Sequence, residues 1–71
     1  MASFKPREVI SILQNLGFIR KRQTGSHVIM HNPSLKRTIP VPVHAKDIKK
    51  GLLRSIIKQA DSTEKEFLKL K

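Results

Sequence analysis

The apolar residues at the start of the chain recur at helical spacing. After Pro6 they are Val9, Ile10, Leu13 and Leu16. Proline is favoured in the first turn of a helix, so this pattern predicts a helix over about residues 6–16. Gly17 follows directly and predicts a helix end in the left-handed conformation, with Phe18 packing back on Leu13.

A second apolar helix face is predicted over about residues 50–60. Its members are Ile48, Leu52, Leu53, Ile56, Ile57 and Ala60. Thr63 and Glu66 then have the spacing of a capping box, which predicts a short helical turn at the C-terminal end of the chain.

Between the two helices the pattern predicts three short strands, over residues 18–22, 26–31 and 37–43, separated by turns at 24–26 and 32–34. Pro40 and Pro42 place both missing N–H groups on one side of the third strand, which predicts an edge strand. The expected fold is a single α+β domain over residues 1–71. It has α-β-β-β-α order, with two helices on one face of a three-stranded antiparallel sheet and the short helical turn.

The charge of the chain favours a polyanionic partner. Lys and Arg total 15 against 5 acidic residues among 71, a formal net charge of +10. There is no Cys and no apolar run of the ~20 residues that a membrane span needs, so a cytoplasmic location is expected. Aromatic residues are scarce, with three Phe and no Trp or Tyr, which argues against a platform for stacking bases.

All three histidines lie in a stretch without acidic residues, between Glu8 and Asp47. Cations attract phosphate and an imidazole can move a proton near neutral pH, so this stretch suits chemistry on a phosphodiester. A hairpin turning near residues 33–35 places His27 opposite about Val41, with His44 at the same end of the hairpin and His31 at the other end.

Several chemistries are disfavoured by the residues present. Two-metal cleavage needs clustered carboxylates, which the middle of the chain lacks. A zinc site would need all three imidazoles together, which the hairpin geometry opposes. No metal or other cofactor is therefore expected. Ser26 is not expected to act in a triad, because neighbours in a strand point to opposite faces. Gly25 is either a simple turn residue or a backbone donor to phosphate. The group of Lys46, Lys49 and Lys50 ahead of the second helix either contacts phosphate or is a solvated face.

The ordered set of motifs resembles the HicA toxins, small ribonucleases of bacterial and archaeal toxin–antitoxin pairs. The matching segments are residues 6–10, 16–18, the Gly25-Ser26-His27 signature, 39–44, 49–51, 53–60 and Glu66-Phe67. The resemblance implies a double-stranded-RNA-binding-like fold and cleavage of mRNA without a metal. It implies that His27 is catalytic and that a HicB antitoxin binds the toxin and masks this histidine. Ser26, Gly25 and His44 are candidate supporting residues. The candidate contacts to RNA phosphates are Arg20, Arg22, Lys46, Lys49 and Lys50.

Two positions depart from the family pattern. Leu52 stands where a Thr is common, and Asp61-Ser62 replaces a usual Gly and aliphatic residue. Neither departure touches His27. Two other functions fit the same charge and fold: a non-catalytic RNA-binding module, which would have no need for the imidazole of His27, and a degenerate toxin that acts mainly by binding protein.

Overall fold

The structure, a computed structural model, describes residues 3–71. Its elements are α1 (Pro6–Asn15), β1 (Ile19–Gln23), β2 (His27–Asn32), β3 (Arg37–Pro42), α2 (Lys50–Gln59) and α3 (Glu64–Leu70). The strands form one antiparallel sheet in the order β1-β2-β3. This arrangement confirms the predicted α+β fold.

The first helix begins and ends at the predicted signals. The carboxylate of Glu8 accepts a hydrogen bond of 2.8 Å from the backbone N–H of Lys5 and so satisfies one free donor at the helix start. Gly17 has a φ of +96°, and the N–H of Phe18 donates to the carbonyl of Leu13 at 2.9 Å. These contacts form the Schellman end that the sequence predicts.

The third strand lies at an edge of the sheet, as its prolines predict. The N–H of Val43 donates to the carbonyl of Ser26 at 3.0 Å, and ladder bonds alternate along an antiparallel pair. Pro40 and Pro42 therefore face the free edge with their missing donors. The predicted register was wrong by one residue, because His27 lies opposite Pro42 rather than Val41.

The register is shifted because the loop between β2 and β3 contains four residues, 33–36, with Lys36 in the left-handed region at φ +53°. The side chain of Asn32 holds this loop, since its Oδ1 accepts from the N–H groups of Ser34 at 2.9 Å and Leu35 at 3.1 Å. Its Nδ2 donates to the carbonyl of Leu16, which connects the loop to the end of α1.

A β-bulge interrupts the pairing of β1 with β2 at Lys21. Arg20 pairs with Met30, whereas Arg22 pairs with Ile29. Paired residues share a face of the sheet, so the bulge places the two arginines at positions on opposite faces.

One face of the sheet carries the core, and α1 and α2 pack against it. The sheet contributes the buried side chains of Val28, Met30, Ile39 and Val41 to this core. From the second predicted helix face, Ile48, Leu53, Ile56, Ile57 and Ala60 are buried as expected. The prediction for Leu52 was wrong: this side chain is 39% exposed, because it lies at the edge of the stripe that Leu53, Ile56 and Ile57 already fill.

The last helix is a packing element rather than a single turn. Phe67 is fully buried, and its ring meets that of Phe4 edge-on, with 6.2 Å between the ring centroids. The side chain of Thr63 accepts from the N–H of Glu66, as predicted. The carboxylate of Glu66 bonds to the hydroxyl of Ser62 instead of completing the capping box.

Candidate active site

The loop that precedes His27 is a tight connection of three residues, 24–26, between β1 and β2. The N–H of Thr24 donates to the carbonyl of His27 at 2.8 Å, and the hydroxyl of Thr24 accepts from the N–H of His27 at 3.2 Å. Gly25 and Ser26 complete this loop, and both are exposed. This closure fixes the backbone of His27 at the very start of β2.

The side chains of Ser26 and His27 are hydrogen-bonded, with 2.9 Å between Ser26 Oγ and His27 Nδ1. The expectation that they point to opposite faces was wrong, because Ser26 lies in the bend before β2 and does not follow the alternation of the strand. The bond at Nδ1 orients the half-buried ring and leaves Nε2 as the nitrogen available to a substrate.

His44 lies at the same end of the sheet as His27, as predicted. Its Nε2 is 2.6 Å from the carbonyl oxygen of Gly25. A carbonyl only accepts, so His44 is the donor and its Nε2 carries the proton. This bond connects the chain that leaves β3 to the loop that positions His27.

Gly25 is a glycine that the fold does not require. Its φ lies outside the left-handed region, and a Cβ built on it would have no atom within 4 Å. Gly17 differs, since its φ of +96° favours glycine and a Cβ there would lie 3.4 Å from Asn32 Nδ2. The absence of a side chain at Gly25 therefore leaves open space above the loop rather than relieving strain.

The structure separates the predicted phosphate-binding cations. Arg22 lies on the face of the sheet that carries His27, whereas Arg20 lies on the helix side. Lys46 and Lys49 lie in the segment after β3, and Lys50 begins α2. All five of these cations are exposed. In the described range 3–71, no group of three or more potential ligand side chains is placed to hold a metal ion.

His31 lies at the other end of β2 from His27, as predicted, and on the same face of the sheet. Its Nδ1 is 3.0 Å from Thr38 Oγ1 on β3. Sequence reasoning gave His31 no role. The period-two pattern of β2 was the available signal, since it places residues 27, 29 and 31 on one face.

A comparison of the sequence with models of known protein families finds a match. The family model of the HicA toxin of bacterial toxin–antitoxin systems matches residues 6–61. This range includes α1, the whole sheet with the Gly25-Ser26-His27 loop, and α2. A search of curated proteins finds no match. Within residues 3–71, no helix is long and apolar enough to cross a membrane.

Proposed function

The chain belongs to the HicA toxin family of bacterial toxin–antitoxin systems, and from this premise we propose that it is a metal-independent ribonuclease that cleaves mRNA with His27 as its catalytic residue. The observation that carries the proposal is the Ser26–His27 hydrogen bond, which holds the imidazole by Nδ1 at the open end of the sheet. An oriented imidazole in an acid-free basic stretch is suited to proton transfer beside a phosphate.

The proposed reaction uses the 2′-hydroxyl of the RNA as nucleophile. Nε2 of His27 accepts the hydroxyl proton, and the oxygen attacks the adjacent phosphorus. The bond from phosphorus to the 5′ oxygen breaks, and this oxygen takes up a proton from the imidazolium or from water. The products are a 2′,3′-cyclic phosphate and a 5′-hydroxyl. One oriented imidazole contributes roughly 10²–10⁴-fold to such a step.

Two neighbours of His27 support it in this proposal. Gly25 leaves room for a phosphate to approach the loop, because no side chain occupies the space above its backbone. His44 is a positioning residue, because its bond to the Gly25 carbonyl fixes the loop. Arg22, on the face of His27, is placed to contact a phosphate of the bound RNA away from the cleaved bond.

The proposed partner is a HicB-type antitoxin, since a toxin of this family acts within a toxin–antitoxin pair. An mRNA substrate also places the proposed activity in the cytoplasm. The basic stretch and exposed cations are compatible with attraction of both RNA and an acidic protein surface.

The test compares the wild-type chain with His27→Ala in growth assays and on purified RNA in excess EDTA. The variant is expected to keep the wild-type melting temperature, to lose cleavage by roughly 10²–10⁴-fold and to lose growth inhibition. A matched oligonucleotide with a 2′-deoxy sugar at the cleaved position should resist the wild-type enzyme. A folded His27→Ala variant that cleaves like the wild type would contradict the proposal, and binding of RNA without cleavage would favour the non-catalytic RNA-binding function.

A further inference from the structure

The sheet has a second face that the helices leave open. His27, Ile29 and His31 of β2 alternate with the buried core residues and are only half-buried. Their partners across the sheet include Thr38 and Pro40 on β3, which are exposed. This open face consists of these five residues and of Ile19 and Arg22 on β1, which pair with His31 and Ile29. It begins at the candidate catalytic imidazole and extends along β2 to the loop at the far end.

The open face combines apolar and cationic groups. Ile29 and Pro40 lie side by side in its centre, and on β1 Arg22 pairs with Ile29 while the 55% exposed Ile19 pairs with His31. Apolar side chains suit the faces of sugars and bases, and the guanidinium of Arg22 suits a phosphate. No acidic residue occurs in any of the three strands. The charge of the face therefore complements a polyanion.

The far end of the open face holds a second oriented imidazole. Thr38 Oγ1 lies 3.0 Å from His31 Nδ1, so the bond at Nδ1 leaves Nε2 of His31 available, as the Ser26 bond does for His27. His27 and His31 are four residues apart on one strand, which corresponds to about 13 Å. A single nucleotide does not bridge this distance, but a short oligonucleotide lying along β2 does.

We propose that the open face binds the RNA strand that flanks the cleaved phosphate, with Arg22 and His31 as contacts beyond the nucleotides at His27. The proposal rests on the proposed function and identifies single-stranded RNA, rather than a second protein, as the occupant during catalysis. Continuity with His27 and the absence of acidic residues in the strands favour this occupant. RNA bound along the open face in this way would gain part of its affinity from nucleotides distant from the reacting bond.

The test measures kcat and KM on two substrates, a dinucleotide that contains the cleaved bond and an oligonucleotide of about eight nucleotides. His31→Ala and Arg22→Ala are each expected to raise KM roughly tenfold on the longer substrate with little change in kcat. Neither is expected to change the parameters for the dinucleotide. Arg20→Ala is the matched comparison, because it removes the same charge from the helix side of the same strand. We expect it to produce a smaller effect that does not depend on substrate length.

A binding measurement separates this proposal from the proposed function. In a His27→Ala background, His31→Ala and Arg22→Ala should each weaken binding of the longer RNA roughly tenfold in fluorescence anisotropy, with unchanged melting temperatures. Binding that depends on these residues, without any cleavage by the wild type, would overturn only the catalytic function. Cleavage that requires His27 and is unaffected by both substitutions on both substrates would overturn only the RNA path, and would leave the open face to a protein partner.

Discussion

His44 and Gly25 are joined by a hydrogen bond of 2.6 Å although 19 residues separate them in the chain. The bond connects the segment after β3 to the loop between β1 and β2. Gly25 belongs to the same loop as Ser26, and Ser26 contacts His27 Nδ1. His44, Gly25 and Ser26 therefore support the imidazole of His27 in sequence. The Nε2 of His44 is therefore bonded to a backbone carbonyl and is not available to a substrate.

The hydrogen bond between His44 and Gly25 predicts different effects on cleavage for two substitutions of His44. His44→Ala removes a hydrogen bond worth about 1 kcal/mol and should lower kcat roughly tenfold through disorder of the loop, with little effect on KM. His44→Gln retains an N–H donor on a side chain of similar reach and should restore part of the loss. Single-turnover cleavage of RNA by both variants provides the measurement. If His44→Gln were as inactive as His27→Ala, His44 would be a proton-transfer group rather than a positioning residue.

Gly25→Ala should separate activity from stability. The backbone at Gly25 does not require glycine and a Cβ meets open space, so the variant should be as stable as the wild type or about 0.4–1 kcal/mol more stable. Its cleavage rate should fall, because in the proposed reaction the phosphate approaches through the space that the methyl group would occupy. Gly17→Ala is the contrasting variant, with a φ of +96°, and should lose stability. Urea unfolding and cleavage assays measure both quantities, and full activity of Gly25→Ala would show that this space is not used.

The elements of the fold could be predicted because local signals coincide with tertiary packing. Pro6 and Gly17 mark the start and end of α1, and the two prolines of β3 identify an edge strand whatever its neighbours are. The grouping of His27 with His44 followed from hairpin topology alone. These features depend on backbone rules that a single sequence displays.

The predictions that were wrong depend on one extra residue in a loop or a strand. Lys36 lengthens the β2–β3 loop and shifts the register by one, and the bulge at Lys21 moves Arg20 away from the face of Arg22. Neither irregularity leaves a strong pattern in the sequence. The Ser26–His27 contact was missed because the strand was predicted to begin one residue too early, which imposed alternation on a residue of the bend.

Asp61 provides a test of stability away from the site. The N–H of Asp61 donates to the carbonyl of Lys58 and that of Ser62 to the carbonyl of Ile57, which makes Asp61 the left-handed residue of a Schellman end, with φ +57°. Family resemblance places a glycine here. Asp61→Gly should therefore raise the free energy of unfolding by up to about 1 kcal/mol without altering cleavage. Thermal or urea unfolding measures this change, and a loss of stability would mean that the carboxylate of Asp61 contributes more than the backbone strain costs.

The antitoxin and RNA are expected to compete for one surface. The proposed ribonuclease would need to be masked in its host, and covering the end of the sheet that carries His27 and Arg22 would also block the proposed phosphate site. An acidic antitoxin surface opposite the basic toxin should make association fast and salt-sensitive, while the contacts buried in the complex determine the dissociation rate. The measurement is RNA binding and cleavage by the saturated complex at low salt, where electrostatic attraction is strongest. Arg22→Ala should slow association with the antitoxin as well as weaken RNA binding. A saturated complex that binds and cleaves RNA as well as the free toxin would show that the antitoxin occupies another surface and that His27 remains exposed within the complex.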